Sequence, residues 1–277
     1  MKINKLCIDS GYRTPMSKSD TDFSIELPES ILLPPGTVCM VTDVSLPHAW
    51  YTIEHNQNDK LYIRYQSTIF NHHDFVLEIE DGNYNMSTLA TAVEEVLTLP
   101  AIRTTIPTVQ PYIDLDSNKG KFLIHTSSAD AGTFYILSDS DLKQDSIINT
   151  WNGALYNPSN LQSINNIIAN YGVNKQCMYA MPFESGFVDT LTHHNIYIKC
   201  PQLGSFQNVG PRGKKDILKK IVVTAAFGEM ITETLINSDD YTDCSRLHLK
   251  TRNFRITDVN DNTISLHGQR ISFSFVF

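Results

Sequence analysis

Strict alternation of apolar and polar residues constrains this chain more than any other feature. It runs through Phe23-Ser24-Ile25-Glu26-Leu27, Leu61-Tyr62-Ile63-Arg64-Tyr65 and, with one extra valine, Phe75 to Glu80. It returns in Ile196-Tyr197-Ile198-Lys199, Leu247-His248-Leu249-Lys250, Ile264-Ser265-Leu266 and Ile271 to Phe277. Successive side chains of a strand point to opposite faces, so a period of two puts one face on a core and leaves the other for water or a partner. Turn residues punctuate the runs at Pro34-Pro35-Gly36, Asp81-Gly82-Asn83, Ser117 to Gly120 and Asp258 to Asn262. Short strands at this spacing predict an all-β sandwich, barrel or jelly roll.

Helical periodicity is sparse. Leu89, Val93, Val96 and Leu97 share a face over Met86 to Leu99, with Asn85 as N-cap and Pro100 as stop. A weaker helix is expected over Asn160 to Ala169, and a hairpin of Phe122 to His125 with Phe134 to Leu137. Residues 101–187 are the least regular and read as a long-loop or insertion region. With no repeat or clear linker, 1–277 reads as a single domain.

The chain has 22 Lys+Arg against 30 Asp+Glu, a net charge of −8, which argues against a protein built to grip a nucleic-acid backbone. A charged fraction of 19% with 12 Tyr and 13 Phe suits strands and buried surface better than long solvated helices. The first residues lack the apolar stretch of a signal peptide, and Ile221 to Phe227 is too short to span a bilayer. A soluble protein of a reducing compartment is expected. The cysteines, at 7, 39, 177, 200 and 244, are odd in number and form no C-x-x-C, so neither a zinc knuckle nor a disulfide framework is signalled. Cys39 and Cys200, inside apolar runs, read as small buried hydrophobes.

No catalytic template is met: G-x-S-x-G, G-x-x-x-x-G-K-[ST], H-E-x-x-H and G-x-G-x-x-G are all missing from the sequence. The pairs His72-His73 and His193-His194 point opposite ways on a regular strand, so they read as polar residues at strand ends rather than metal ligands. Carboxylates at Asp139-Asp141, Asp239-Asp240 and Asp258-Asp261 read as turn chemistry. No catalytic residue, cofactor or metal is expected. The one basic concentration is Gly210 to Lys220, with Arg212, Lys214, Lys215, Lys219 and Lys220, a candidate contact loop for an acidic partner or a solvated loop entering a strand. Trp50, Tyr51, Trp151 and Tyr156 are candidate interface or core anchors.

The ordered set carries a resemblance. Ile8 to Thr14 precedes Asp22 to Pro28; Pro35 to Cys39 leads to Val44-Ser45-Leu46-Pro47-His48-Ala49-Trp50-Tyr51, then Leu61 to Ile63 and Gly82-Asn83-Tyr84. Gly210-Pro211-Arg212-Gly213, Ile217 to Ile221, Asp240 to Asp243, Phe254 to Asp258, Ile264 to Gly268 and Ser272 to Ser274 close it. Together these resemble the penton, or minor capsid, proteins of virophages, Polinton/Maverick elements and Polinton-like viruses. The resemblance implies a single jelly roll forming homopentamers at the fivefold vertices of an icosahedral capsid. It also implies a separate double jelly-roll major capsid protein as partner, a place in the virion, and synthesis in the host cytoplasm or a viral factory. At about 150 residues per domain, 277 is short for a double jelly roll. A carbohydrate-binding β-sandwich and a jelly-roll glycan-processing enzyme are the alternatives; the first needs exposed aromatics at regular spacing, the second a carboxylate pair or metal.

Overall fold

The computed structural model describes residues 5–66, 72–99, 111–126, 133–136, 163–168, 176–177, 182–203, 209–234 and 241–277. Their strands in chain order are β1 (Lys5–Asp9), β2 (Asp22–Leu32), β3 (Val38–Pro47), β4 (Lys60–Gln66) and β5 (His72–Glu78). After helix α1 (Met86–Leu97) come β6 (Pro111–Asp116), β7 (Lys121–Thr126) and β8 (Thr133–Ile136). Helix α2 (Ile164–Ile168) precedes β9 (Gln176–Cys177), β10 (Phe183–Glu184), β11 (Asn195–Lys199) and β12 (Ile217–Val222). The last are β13 (Met230–Glu233), β14 (Thr242–Asp243), β15 (His248–Thr257) and β16 (Ser272–Val276). The chain divides into two compact units: residues 1–50 with 193–277, and residues 51–192.

The first unit is a jelly roll. One sheet has the order β1-β16-β3-β13, with β14 also on β3, and the other has the order β12-β11-β15-β2. Lettering the eight main strands B to I in chain order turns these into B-I-D-G and F-E-H-C, the strand order that defines the jelly roll. All these pairings are antiparallel. The alternation read in the sequence supplies the core. Phe23 of β2 and Phe254 of β15 come from one sheet, and Phe273 and Phe275 of β16 from the other. All four are buried, and the ring of Phe254 lies 5.6, 5.2 and 5.9 Å from those of Phe23, Phe273 and Phe275. The first contact lies within a sheet; the other two bind the sheets face to face.

Two departures from regular pairing have local causes. β3 carries an extra residue against β16, because Ser45 faces Ser272 while Thr42 faces Ser274. Asp43 takes up the bulge at φ +47° and holds Lys5 of β1 in an exposed ion pair. On the edge strand β12, Lys219 lies opposite the buried Ile198 and points inward, where its ammonium meets Glu233 of β13 at 3.2 Å. An inward charge on an edge strand opposes pairing with a foreign strand.

The run Ile264 to Leu266, expected as a strand, keeps its alternating burial but forms no ladder among the described residues: a bridge joins Thr263 to Thr257, the Ile264 N–H bonds the Ile256 carbonyl, and the Ile264 carbonyl accepts from Thr21 Oγ1 at 2.7 Å.

In the second unit, a sheet of order β5-β4-β8-β9 and another of order β10-β7-β6 share one core with both helices. Leu61, Ile63, Leu77, Phe122, Phe134 and Phe183 meet Leu89 and Val93 of α1 and Ile164 and Ile168 of α2. Asn85 caps α1 as expected: its side chain accepts from the Thr88 N–H while the Thr88 side chain accepts from the Asn85 N–H.

The expected hairpin of Phe122–His125 with Phe134–Leu137 does not form. β7 pairs with β6 across the Ser117–Gly120 turn, where Gly120 takes φ +64°, and with β10. β8 pairs instead with β4 and β9. Of the helix expected over Asn160 to Ala169, the described part is α2. This unit starts before the 101–187 segment singled out in the sequence and follows β3 directly, so in chain order it fills the D–E connection of the jelly roll. No helix among the described residues is long and apolar enough to cross a membrane.

Candidate functional site

Of the four aromatic anchors, Trp151 and Tyr156 lie outside the described residues. Trp50 is buried, its ring stacked on His48 at 4.1 Å and 6.0 Å from His193. His48 is fixed in turn by a ring-nitrogen bond to the Ala225 carbonyl at 2.8 Å. Trp50 is thus an anchor inside its own unit. Tyr51 is half-buried at the start of the second unit.

The basic segment resolves into separate roles. Gly210 N–H bonds the Lys214 carbonyl at 2.7 Å, closing a tight loop around a 3-10 turn at Pro211–Gly213 that contains Arg212. Lys215 and Lys220 are exposed. Lys219 is buried on Glu233 and so leaves the exposed set. Lys214 reaches the Asp258–Asn262 turn, where its ammonium lies 3.1 Å from Asp261 Oδ2.

That turn organises a polar cavity in the first unit. Asp261 Oδ1 accepts from Lys199 Nζ at 2.7 Å, and Arg255 Nη1 stands 3.6 Å from the same oxygen. Three cations on one carboxylate hold Asp261 below the ordinary 3.8, with the Lys199 bond the largest cause and partial burial opposing it. Asp258 is buried too, its Oδ1 accepting from Asn260 N–H and Asn262 N–H at 2.8 Å and its Oδ2 from Asn262 Nδ2 at 3.0 Å. Asp258 serves as turn chemistry, as the sequence suggests; Asp261 is the hub of an ion-pair cluster. The cavity these residues border, with Tyr197 and Lys199 of β11, has a volume of about 140 Å³.

A depressed carboxylate gives stability that is present above its unfolded value and lost as pH falls through its folded one. The stability gap between the parent and Asp261→Asn should therefore be widest at neutral pH. It should close as acid carries the solution below 3.8. Urea unfolding at several pH values checks this, and a gap independent of pH would contradict it.

His55, Asp59 and Glu78 bring their ligand atoms within 4.8 Å of one another, a grouping that no spacing in the sequence signals. Lys60 already supplies a cation there, at 2.6 Å from Glu78 Oε2 and 3.3 Å from Asp59 Oδ2. His73 is exposed at the start of β5, stacked near Tyr65. Asp139, Asp141, Asp239 and Asp240 lie outside the described residues.

The thiols divide by environment. Cys7 is exposed; Cys39, Cys200 and Cys244 are buried. β14 sets Thr242 opposite Cys39 and so brings Cys244 beside it. The hydrogen bond between the two thiols raises the Cys39 pKa, with burial adding to it, and lowers that of Cys244. Burial pushes Cys200 up to about 11. Because Cys7 is the exposed thiol of these four, Cys7→Ser should remove a fast phase of labelling by an aromatic disulfide reagent. Cys39→Ser and Cys200→Ser should leave that phase intact, and an unchanged amplitude of the fast phase in Cys7→Ser, or its loss in Cys200→Ser, would contradict the assignment.

No family model matches the chain, and no curated protein matches it. Among solved structures it is similar to the crystal structure of the mavirus penton protein, at 14% identity over 99% of this chain and 98% of that one, with a TM-score of 0.48. That structure is of the same class of protein that the order of motifs resembles; the assignment as a jelly roll rests on the strand order.

Proposed function

We propose that this chain is a structural subunit of an icosahedral capsid, of the penton type, which assembles as a homopentamer and closes the fivefold vertices. The observation that carries the reading is a complete B-I-D-G and C-H-E-F strand set. Because many functions share this fold, the order of motifs from Ile8 to Ser274 supplies the rest of the support. In this reading the chain is not an enzyme; its partners are four further copies and a double jelly-roll major capsid protein. Residues 51–192 form an elaboration carried between strands D and E, within one capsid protein.

A ring of five uses heterologous contacts, one flank of each subunit against the opposite flank of the next. With −8 per chain, acidic groups in such a ring sit away from the contacts or are paired there. Mass photometry of the purified chain, alone and with the major capsid protein, tests the reading. The expected species has five times the 31.3 kDa chain mass, and class averages in the electron microscope should show fivefold symmetry. A strict monomer at every salt concentration that also fails to enter particles would overturn it.

A further inference from the structure

We propose that the cavity beside the Asp258–Asn262 turn is a binding site for a small oxyanion of the phosphate class. The proposal stands independently of the capsid reading, since it concerns one subunit's own residues.

The Lys199 ammonium is buried, and among the described residues its one hydrogen bond goes to Asp261 Oδ1. An ammonium carries three N–H donors, so two find no acceptor among those residues, on the border of a cavity. Buried charge with unused donors is costly unless something accepts from them. Tyr197, two residues earlier on the same face of β11, borders the same space, and its hydroxyl makes no hydrogen bond among the described residues. Lys214 closes the rim from the opposite loop, about half exposed.

Charge points the same way. Lys199, Lys214 and Arg255 converge on Asp261. The other carboxylate in the wall, Asp258, directs its oxygens at three donors of its own turn. On the wall itself two ammoniums balance two carboxylates, and Arg255, standing behind Asp261, adds a third cation to the cluster. The cationic groups that border the cavity are ammoniums, which bind phosphate as point charges. The planar Arg255 fork is not on the wall; it bonds the Asp261 carbonyl and Thr263 Oγ1 instead. A volume of about 140 Å³ is several times the roughly 30 Å³ share of a water, enough for a tetrahedral oxyanion with some of its hydration.

The test uses the full chain in a buffer free of phosphate and sulfate. Sodium phosphate is titrated at ionic strength held constant with sodium chloride, read by calorimetry and by thermal unfolding. Saturable heat and a rise in unfolding temperature are expected, with sodium sulfate acting alike. Tyr197→Phe removes one hydroxyl and should weaken phosphate binding about tenfold, the size of a hydrogen bond to a charged group. Lys199→Met should abolish saturation, while Lys119→Met, in the other unit, should change nothing. No saturable response beyond chloride overturns the proposal. So does phosphate binding of parental strength in Tyr197→Phe, a variant that serves even where Lys199→Met fails to fold.

Discussion

Phe254→Ala is expected to destabilise the jelly-roll unit by about 3–5 kcal/mol, the usual cost of emptying a buried phenylalanine site. Phe254 is 1% exposed, and its ring contacts Phe23, Phe273 and Phe275 together. Its loss removes the apolar transfer energy of the ring. It also leaves a hole between two sheets whose backbones, held by antiparallel ladders, collapse into it only in part. Hydrogen exchange across a urea series, followed on peptides from β2, β15 and β16, should show the unfolding midpoint falling. Val259→Ala, in the half-exposed turn after β15, should stay within about 0.5 kcal/mol of the parent. If Phe254→Ala costs no more than Val259→Ala, the two sheets do not meet through this cluster and the sandwich is wrongly described.

Most of that cluster is legible in the amino-acid sequence, because period-two alternation states directly which residues face inward. Phe23, Phe273 and Phe275 fall on the apolar phase of their runs, whereas Phe254 is out of phase with Leu247 and Leu249 and is turned inward by the register shift between Leu249 and Thr251. Helix α1 is legible through Asn85 and the 3.6-residue spacing of Leu89, Val93 and Leu97. Partner choice is not. The runs around Phe122 and Phe134 read as strands correctly, but nothing local says that β8 pairs with β4 some seventy residues earlier in the chain.

The basic segment shows a second limit. Counting charge over Gly210 to Lys220 treats five cations as one loop, whereas the strand phase of Ile217-Leu218-Lys219-Lys220-Ile221 turns Lys219 inward and Lys220 outward. That phase is open to reading in the sequence. The polar cavity is not: Tyr197, Lys199, Lys214, Asp258 and Asp261 span more than sixty residues and meet only because β11 and β15 are neighbours and the turn after β15 folds back.

Helix α2 shows how a few residues finish a sheet that strands leave incomplete, and it gives the second large effect. Among the described residues β8 ends opposite Ile63, so beyond that point the flank of β4 has no ladder partner there. The fully buried Asn165 side chain takes its place: Oδ1 accepts from the Tyr62 N–H at 2.8 Å, and Nδ2 donates to the Tyr62 carbonyl at 2.7 Å. A carboxamide sets an acceptor oxygen beside an N–H donor, the pair that a residue of a neighbouring strand would have offered. Asn165→Leu keeps the volume and strips both bonds, leaving a buried N–H and a buried C=O that cost about 1–3 kcal/mol each. The expected result is a loss of several kcal/mol confined to residues 51–192. It should be seen as faster hydrogen exchange at Tyr62 and along β4, with β15 and β16 protected as before. Asn165→Asp should do comparable damage, because an ionised carboxylate repels the Tyr62 carbonyl that the amide donates to. Parental exchange at Tyr62 in Asn165→Leu would show that water or another group satisfies β4 there, and that α2 is held by Ile164 and Ile168 alone.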